Sequence, residues 1–276
     1  MNKTAIEWCD MTWNPVTGCL HGCPYCYARK VANRFGMDFA PRLDEMDGCK
    51  YDSPEGIDTM LELNAPFYKE GKKQPYPMAF LPTFFRYKLE EPAKRKKPAT
   101  IFVCSMADLF GEWVPDKWIL EVFDACKAAP WHNYLFLTKN PQRYCELADA
   151  EKLPELDNFW YGSTITKAGE CMFAGSIHWN TFLSIEPLLE PLDVGLGSFG
   201  GAKWIIVGAE TGNRTGKVKP ERAWIENIIE AARLTPAAIF LKDSLIPIVG
   251  EENMIRELPE ALKIYDPEAS RRNTTA

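Results

Sequence analysis

The stretch "TGCLHGCPYCYARK" (residues 17–30) puts Cys19, Cys23 and Cys26, three of the chain's nine cysteines, into one short segment. Nine is odd, and the opening residues, MNKTAIEWCD, carry Glu7 and Asp10 and none of the apolar run that an export signal needs. The thiols therefore read as reduced and metal-binding rather than as a disulfide framework, which points to the cytoplasm. Spacing narrows the chemistry. Haem attachment requires His after a CxxC pair, and Tyr27 follows Cys26. Ferredoxin spacing requires a fourth cysteine close behind, which is absent. A structural Cys₃His zinc site stays open, with His21, Cys9 or Cys49 as its fourth ligand.

Behind this loop, short β-branched or aromatic runs recur. They predict strands at Thr12–Asn14, Met78–Phe85, Thr100–Cys104, Asn133–Leu137, Phe159–Thr164, Thr181–Ile185, Lys203–Val207 and Ala238–Leu241. Helical patterns open at Pro115, Pro141 and Pro220, with Trp118, Val122 and Ala125 on one face of the first and Ile225, Ile228, Ile229 and Ala232 on one face of the last. Cys126, Cys145 and Cys171 fall on predicted helices. Alternating strands and helices imply an α/β fold with parallel pairing, and about eight strands imply a partial or complete βα barrel. No GxGxxG follows the first strand, so an open dinucleotide-binding sheet is the weaker alternative. Residues 39–77 read as a polar insertion with a helix at Pro54–Leu63. Residues 266–276 read as a flexible tail on a single domain spanning 1–265. No run of eighteen apolar residues exists, so no membrane span is expected.

In a βα barrel the chemistry gathers where strands end. Those ends supply Asn14, Ser105, Asp108, Thr138, Lys139, Asn140, Ser163, Thr164, Thr166, Ser184, Glu186, Glu210, Lys242 and Asp243. Glu186 and Glu210 suit an amine or ribose, and Lys139 or Lys242 suits a carboxylate or phosphate. A net charge of −6 argues against nucleic-acid binding over the whole surface but permits one basic groove. The run KRKK at 94–97 with Arg86 and Lys88, joined by Lys217, Lys219 and Arg222, is the candidate, expected beside the barrel opening. Trp8, Trp13 and Tyr27 would exclude water near a metal.

The CxxxCxxC spacing, with Tyr25 directly before the last cysteine, resembles the radical S-adenosylmethionine (SAM) superfamily. That resemblance implies a βα barrel of the radical SAM type whose first loop holds a [4Fe–4S] cluster through Cys19, Cys23 and Cys26. Three thiolates leave one of four irons open, and in the superfamily that iron chelates SAM. It also implies Tyr25 against the adenine, and Ser184, Glu186, Glu210 and Lys242 as candidates to complete the cofactor site. GAETG at 208–212 is similar to the superfamily's GGE motif but follows a later strand, so Glu210 is not firmly tied to that motif's grip on the amine. Cys104 at a strand end is a candidate hydrogen-atom donor. WNPVTGC, CYAR, SMADLFGEWVP, FLTKNP, LSIEPLLEP and IIVGAETG together resemble a phage-associated branch of radical-SAM-like proteins with no assigned reaction. The implied function is cleavage of SAM to a 5′-deoxyadenosyl radical that modifies a substrate, with nucleic acid or a nucleotide as the leading class and an external electron donor as partner. The alternative is a non-catalytic zinc- or Fe–S-bearing nucleic-acid-binding module.

Overall fold

The structure, a computed structural model, describes residues 1–36, 60–174, 178–195 and 197–263. Numbered along the chain, the strands begin with β1 (Asn2–Lys3), β2 (Met11–Trp13), β3 (Val16–Thr17), β4 (Leu61–Leu63), β5 (Tyr68–Lys69), β6 (Lys72–Lys73) and β7 (Thr83–Phe85). They continue as β8 (Thr100–Val103), β9 (Asn133–Thr138), β10 (Phe159–Thr164), β11 (Asn180–Ile185), β12 (Trp204–Val207) and β13 (Ala238–Leu241). The helices are α1 (Tyr27–Phe35), α2 (Glu91–Lys94), α3 (Asp116–Lys127), α4 (Gln142–Asp149), α5 (Arg222–Arg233) and α6 (Ile246–Val249).

The main sheet has eight strands in the order β1-β2-β8-β9-β10-β11-β12-β13, parallel throughout except for the antiparallel β1–β2 edge. It is open: β1 and β13 are its two edges. The fold is thus α/β with a large, mostly parallel sheet, and a complete barrel is not formed. Alternation along the strands sorts the core into two faces. On the outer face, Ile101, Val103, Tyr134, Phe136, Phe159 and Tyr161 pack against α3 and α4. Leu183, Ile185, Ile205, Val207, Ile239 and Leu241 pack with Ile225, Ile228 and Ala232 of α5.

The inner face carries large side chains from strand after strand: Phe102, Leu135, Trp160, Phe182, Trp204 and Phe240. Trp8, from the segment between β1 and β2, plugs into them. Its ring lies 4.8 Å from Phe102, 6.3 Å from Phe182 and 6.1 Å from Trp204. A flat sheet would hold β8 and β12 about 19 Å apart, four strand spacings. One indole touches both, so the sheet is rolled around it. Gly162 takes part in this packing, since a Cβ there would meet the Phe182 ring at 2.3 Å. Across the open side of the sheet, the Glu7 carboxylate accepts from the Asp243 amide at 2.8 Å and from Arg256 at 2.9 Å, tying the segment before β2 to the end of β13.

Several expectations need correction. Of Met78–Phe85 only Thr83–Phe85 is extended, because Pro77 and Pro82 break the run into a turn. That strand, β7, leaves the main sheet altogether and joins β3 and β4 in a sheet ordered β3-β7-β4. The expected helix Pro54–Leu63 ends instead in β4, whose three residues are all buried in pairing with β7; 54–59 lie outside the described residues. So do 39–59 of the expected insertion and the tail 266–276. Cys171 sits in an exposed loop rather than on a helix.

One buried charge network fastens the small sheet to the large one. Glu62 on β4 is 5% exposed, accepts from the Trp118 indole at 2.5 Å and from Arg86 at 2.8 Å. Arg86 in turn forks onto Glu121 of α3 at 2.7 and 3.0 Å. Burial alone would raise the Glu62 carboxyl, but Arg86 and Trp118 hold it below its usual value. Its stabilising contribution is therefore complete above the unfolded-state carboxylate pKa and is lost as pH falls through the depressed one. Removing the charge with Glu62→Gln should cost about 3 kcal/mol at neutral pH by leaving a half-buried guanidinium short of one partner. Urea titrations at neutral and acid pH check this: the gap between variant and parent should close as acid protonates the parent's carboxyl. A gap independent of pH would contradict it.

Candidate functional site

The cysteine loop leaves β3 and lies against the C-terminal ends of the main-sheet strands. Gly18 pairs with Ala107 just past β8, its amide donating to the Met106 carbonyl at 2.9 Å. Glycine is required here: φ is +89°, and a Cβ would lie 2.1 Å from the Leu81 carbonyl oxygen. The Cys19 amide donates to the Phe80 carbonyl at 3.2 Å, and Arg29 of α1 donates to the Cys19 carbonyl at 3.2 Å. Cys26 caps α1, its sulfur accepting the Arg29 amide at 3.3 Å. All three thiols are free and partly buried. Burial, followed by Asp108, Cys23 and Cys26, pushes the Cys19 thiol up to about 12, against the lowering by the His21 amide. The three sulfurs sense one another, yet among the described residues no group of three or more His, Cys, Asp or Glu is drawn together closely enough to hold a metal ion.

Asp108 is the hub beneath the loop. Only 5% exposed, it accepts from the Phe110 amide at 3.0 Å and the Lys139 amide at 2.9 Å, and it pairs with His21 Nε2 at 2.7 Å. His21 also stands edge-on to Trp113, with ring centroids 4.8 Å apart. A single carboxylate thus fixes the cysteine loop, the lead-in to α3 and the end of β9. Lys139, so placed, carries its ammonium 5.4 Å from the Tyr25 ring. Desolvation lowers the Lys139 pKa, opposed by Cys23, Glu170, Asp108 and Cys19 around it. Desolvation and the neighbouring Cys23 raise that of Tyr25, while the nearby Thr166 side chain lowers it. Tyr25, Lys139, Thr166 and the thiols therefore share one corner.

A second group borders it. Glu186 and Lys242 form an ion pair from the ends of β11 and β13, across Gly208 at the end of β12. A Cβ on Gly208 would approach the Glu186 carboxylate to 3.1 Å. Tyr27, over half exposed, turns its hydroxyl inward to donate to the Ser105 carbonyl at 2.7 Å. Desolvation there, then Glu186, Cys26 and Cys9, raises its pKa. Ser184 is buried on β11, in register with Thr164 and Ile206.

Other candidates stand elsewhere. Glu210 is 4% exposed and held by Arg214 through two 2.7 Å bonds, which lower its pKa and occupy both of its oxygens. Cys104 is buried in the outer core, near Cys126 of α3, and burial pushes its thiol up to about 12. Its positive φ of +60° breaks the strand alternation, so it does not open onto the inner face. Trp13 is fully buried in the same outer core. Arg86 is committed to Glu62 and Glu121. Lys88 donates to the Asn14 carbonyl and lies 4.0 Å from the Phe85 ring, its pKa lowered to about 8 by burial. The run 94–97 precedes β8 and so lies at the end of the sheet away from the cysteines. Of the expected basic residues, Lys217 and Lys219 follow β12 on the cysteine side, whereas Arg222 is paired with Glu226. His21–Asp108 and Tyr27 were not anticipated in these roles. A histidine between two cysteines was the available signal for the first.

The chain belongs to the family described as protein of unknown function DUF5131, whose model matches residues 3–245. No curated protein and no solved structure matches it. Among the described residues no helix is long and apolar enough to cross a membrane.

Removing the hub should loosen the loop specifically. Asp108→Ala strands the Phe110 and Lys139 amides and the His21 ring, each unsatisfied buried donor costing about 1–3 kcal/mol. Hydrogen exchange should accelerate across 18–26 and at 139–140, and His21→Ala should reproduce only the first of these. Unchanged exchange in the loop of both variants would contradict the role given to Asp108.

Proposed function

We propose that this chain is a radical SAM enzyme whose [4Fe–4S] cluster is held by Cys19, Cys23 and Cys26. The observation that carries the reading is the thiol loop itself: three sulfurs, one of them accepting a backbone amide, on one segment at the C-terminal ends of a rolled parallel sheet. In donor chemistry the set suits a cluster, being all sulfur, soft and partly buried, with an N–H···S contact at Cys26 of the kind that stabilises thiolate ligands, although the three thiols are not gathered around one point. The strand order supports it too. It advances in one direction from β2 to β13 without the reversal of a doubly wound sheet, which is the order of a βα barrel left unclosed. When bound, the cluster supplies the electron that cleaves the carbon–sulfur bond of SAM to a 5′-deoxyadenosyl radical.

The chain's own residues then bind and orient. Tyr25 gives the adenine an aromatic surface beside the loop. Lys139 has no carboxylate ion-pair partner among the described residues and takes an anionic group more readily than Lys242, which is already paired with Glu186. Glu186 and Lys242 as a pair suit an ammonium and a carboxylate from one zwitterion, with Ser184 below them. Glu210, closed off by Arg214, serves to fix the loop after β12. The inner aromatic floor, from Trp8 to Phe240, excludes water from beneath the site. The substrate class proposed is a nucleotide or nucleic-acid base, for which Lys217 and Lys219 beside β12 offer phosphate contacts.

Anaerobic reconstitution with iron and sulfide should give one [4Fe–4S] centre per chain, with a spectrum that changes on adding SAM. Dithionite should then release 5′-deoxyadenosine. Cys19→Ala, Cys23→Ala and Cys26→Ala should each abolish the centre, whereas Cys126→Ala should keep it. Stoichiometric zinc without iron would replace the catalytic reading with that of a metal-bearing binding module.

A further inference from the structure

The basic run at 94–97 is not beside the cysteines, and its surroundings give it a different use. It follows α2 and precedes β8, so it sits at the N-terminal end of the sheet, at least one strand length from the thiol loop. Lys94, Lys96 and Lys97 are exposed and, with Arg95, line an open groove of about 600 Å³ floored by Met1 and Met11. The one carboxylate in its wall, Glu91, is already paired with the Met1 amine. Lys94 has a solvent-exposed partner in Glu90, worth little in water. Lys96 lies 5.1 Å from the Trp131 ring, and the Arg95 Nε is buried with no hydrogen-bond partner.

A second basic element meets the first. The β5–β6 hairpin exposes Lys69, Lys72 and Lys73, and Lys73 lies 5.2 Å from the Tyr87 ring. Tyr87 stands four residues before Glu91, so the hairpin adjoins the 91–97 segment and the two form one basic face. Against Glu70, Glu90 and Glu91 it carries Lys69, Lys72, Lys73, Lys94, Arg95, Lys96 and Lys97, on a chain whose net charge is −6. Aromatic rings lie among the cations: Tyr68 is 57% exposed, and Trp131 is partly so.

We propose that this face binds single-stranded nucleic acid, at a site distinct from the cysteine mouth. Cations spaced along a groove neutralise successive phosphates, while exposed rings between them stack on unpaired bases. A duplex hides its base faces and forfeits the second term. An acidic protein would use the lysines and leave the rings without a partner. The proposal does not depend on the bound cluster or on SAM cleavage.

Fluorescence anisotropy with labelled single-stranded and duplex oligonucleotides, from 50 to 200 mM salt, tests it. The single strand should bind more tightly than the duplex. Replacing Lys94, Lys96 and Lys97 together by Gln should weaken binding and flatten the salt slope by about 2, three phosphate contacts at roughly 0.7 each. Tyr68→Ala should weaken binding roughly 5- to 150-fold, the worth of one stacked base, with the slope unchanged. Arginine at the three lysine positions should retain affinity. Circular dichroism and iron content should match the parent in every variant, which separates loss of this face from loss of the cysteine site. No binding at 50 mM salt, a triple variant that binds like the parent, or equal affinity for polyglutamate would overturn the proposal.

Discussion

Bulk on the inner face of the sheet is what the rest of the molecule depends on. Six successive parallel strands each place a large side chain inward, and rolling the sheet is what brings side chains from strands that are not neighbours into contact with one ring. Trp8 completes the floor from outside the strand order and reaches rings on β8, β11 and β12 together. Rolling converges the C-terminal ends of the strands, so that groups from β9, β10, β11 and β13 face a common space. The convergence brings Glu186 to Lys242 and Tyr25 to Lys139. A flatter sheet with the same sequence of polar residues at its strand ends would have no site.

Much of this is legible in the sequence. The β-branched and aromatic runs from Thr100 to Leu241 mark the parallel strands to within about a residue, because short buried strands have little else to be. Proline at the helix starts did the same for α3 and α4. The polar series at the strand ends followed from the fold class. What escaped was pairing at a distance. Glu62, Arg86 and Glu121 lie in three separate stretches, and only the folded chain shows that Arg86 is spent on structure. Glu210 looked available until Arg214 closed on it. Cys104 sits one position past a strand whose alternation would have turned it inward, and a single left-handed residue reverses that. The position of 94–97 was readable: a run immediately before a parallel strand belongs to the end opposite the mouth.

The thiol loop is held by constraint rather than by bulk. Its residues bury little apolar surface, and its geometry comes from specific hydrogen bonds to Phe80, Met106, Asp108 and Arg29. At Cys19 burial outweighs the His21 backbone and holds the thiol above its usual value.

The parts of that constraint are far apart along the chain, and this has a consequence in time. Cys26 is made early, whereas its frame is completed only by Phe80, Asp108 and Lys139. At ribosomal rates of 5–20 residues per second, roughly ten seconds separate the emergence of the thiols from that of their last support. During that interval the nascent cysteines are solvent-facing and unframed, open to oxidants and to any thiophilic ion at hand. The order of synthesis therefore makes the newborn chain, rather than the finished one, the form whose thiols are most open to reaction.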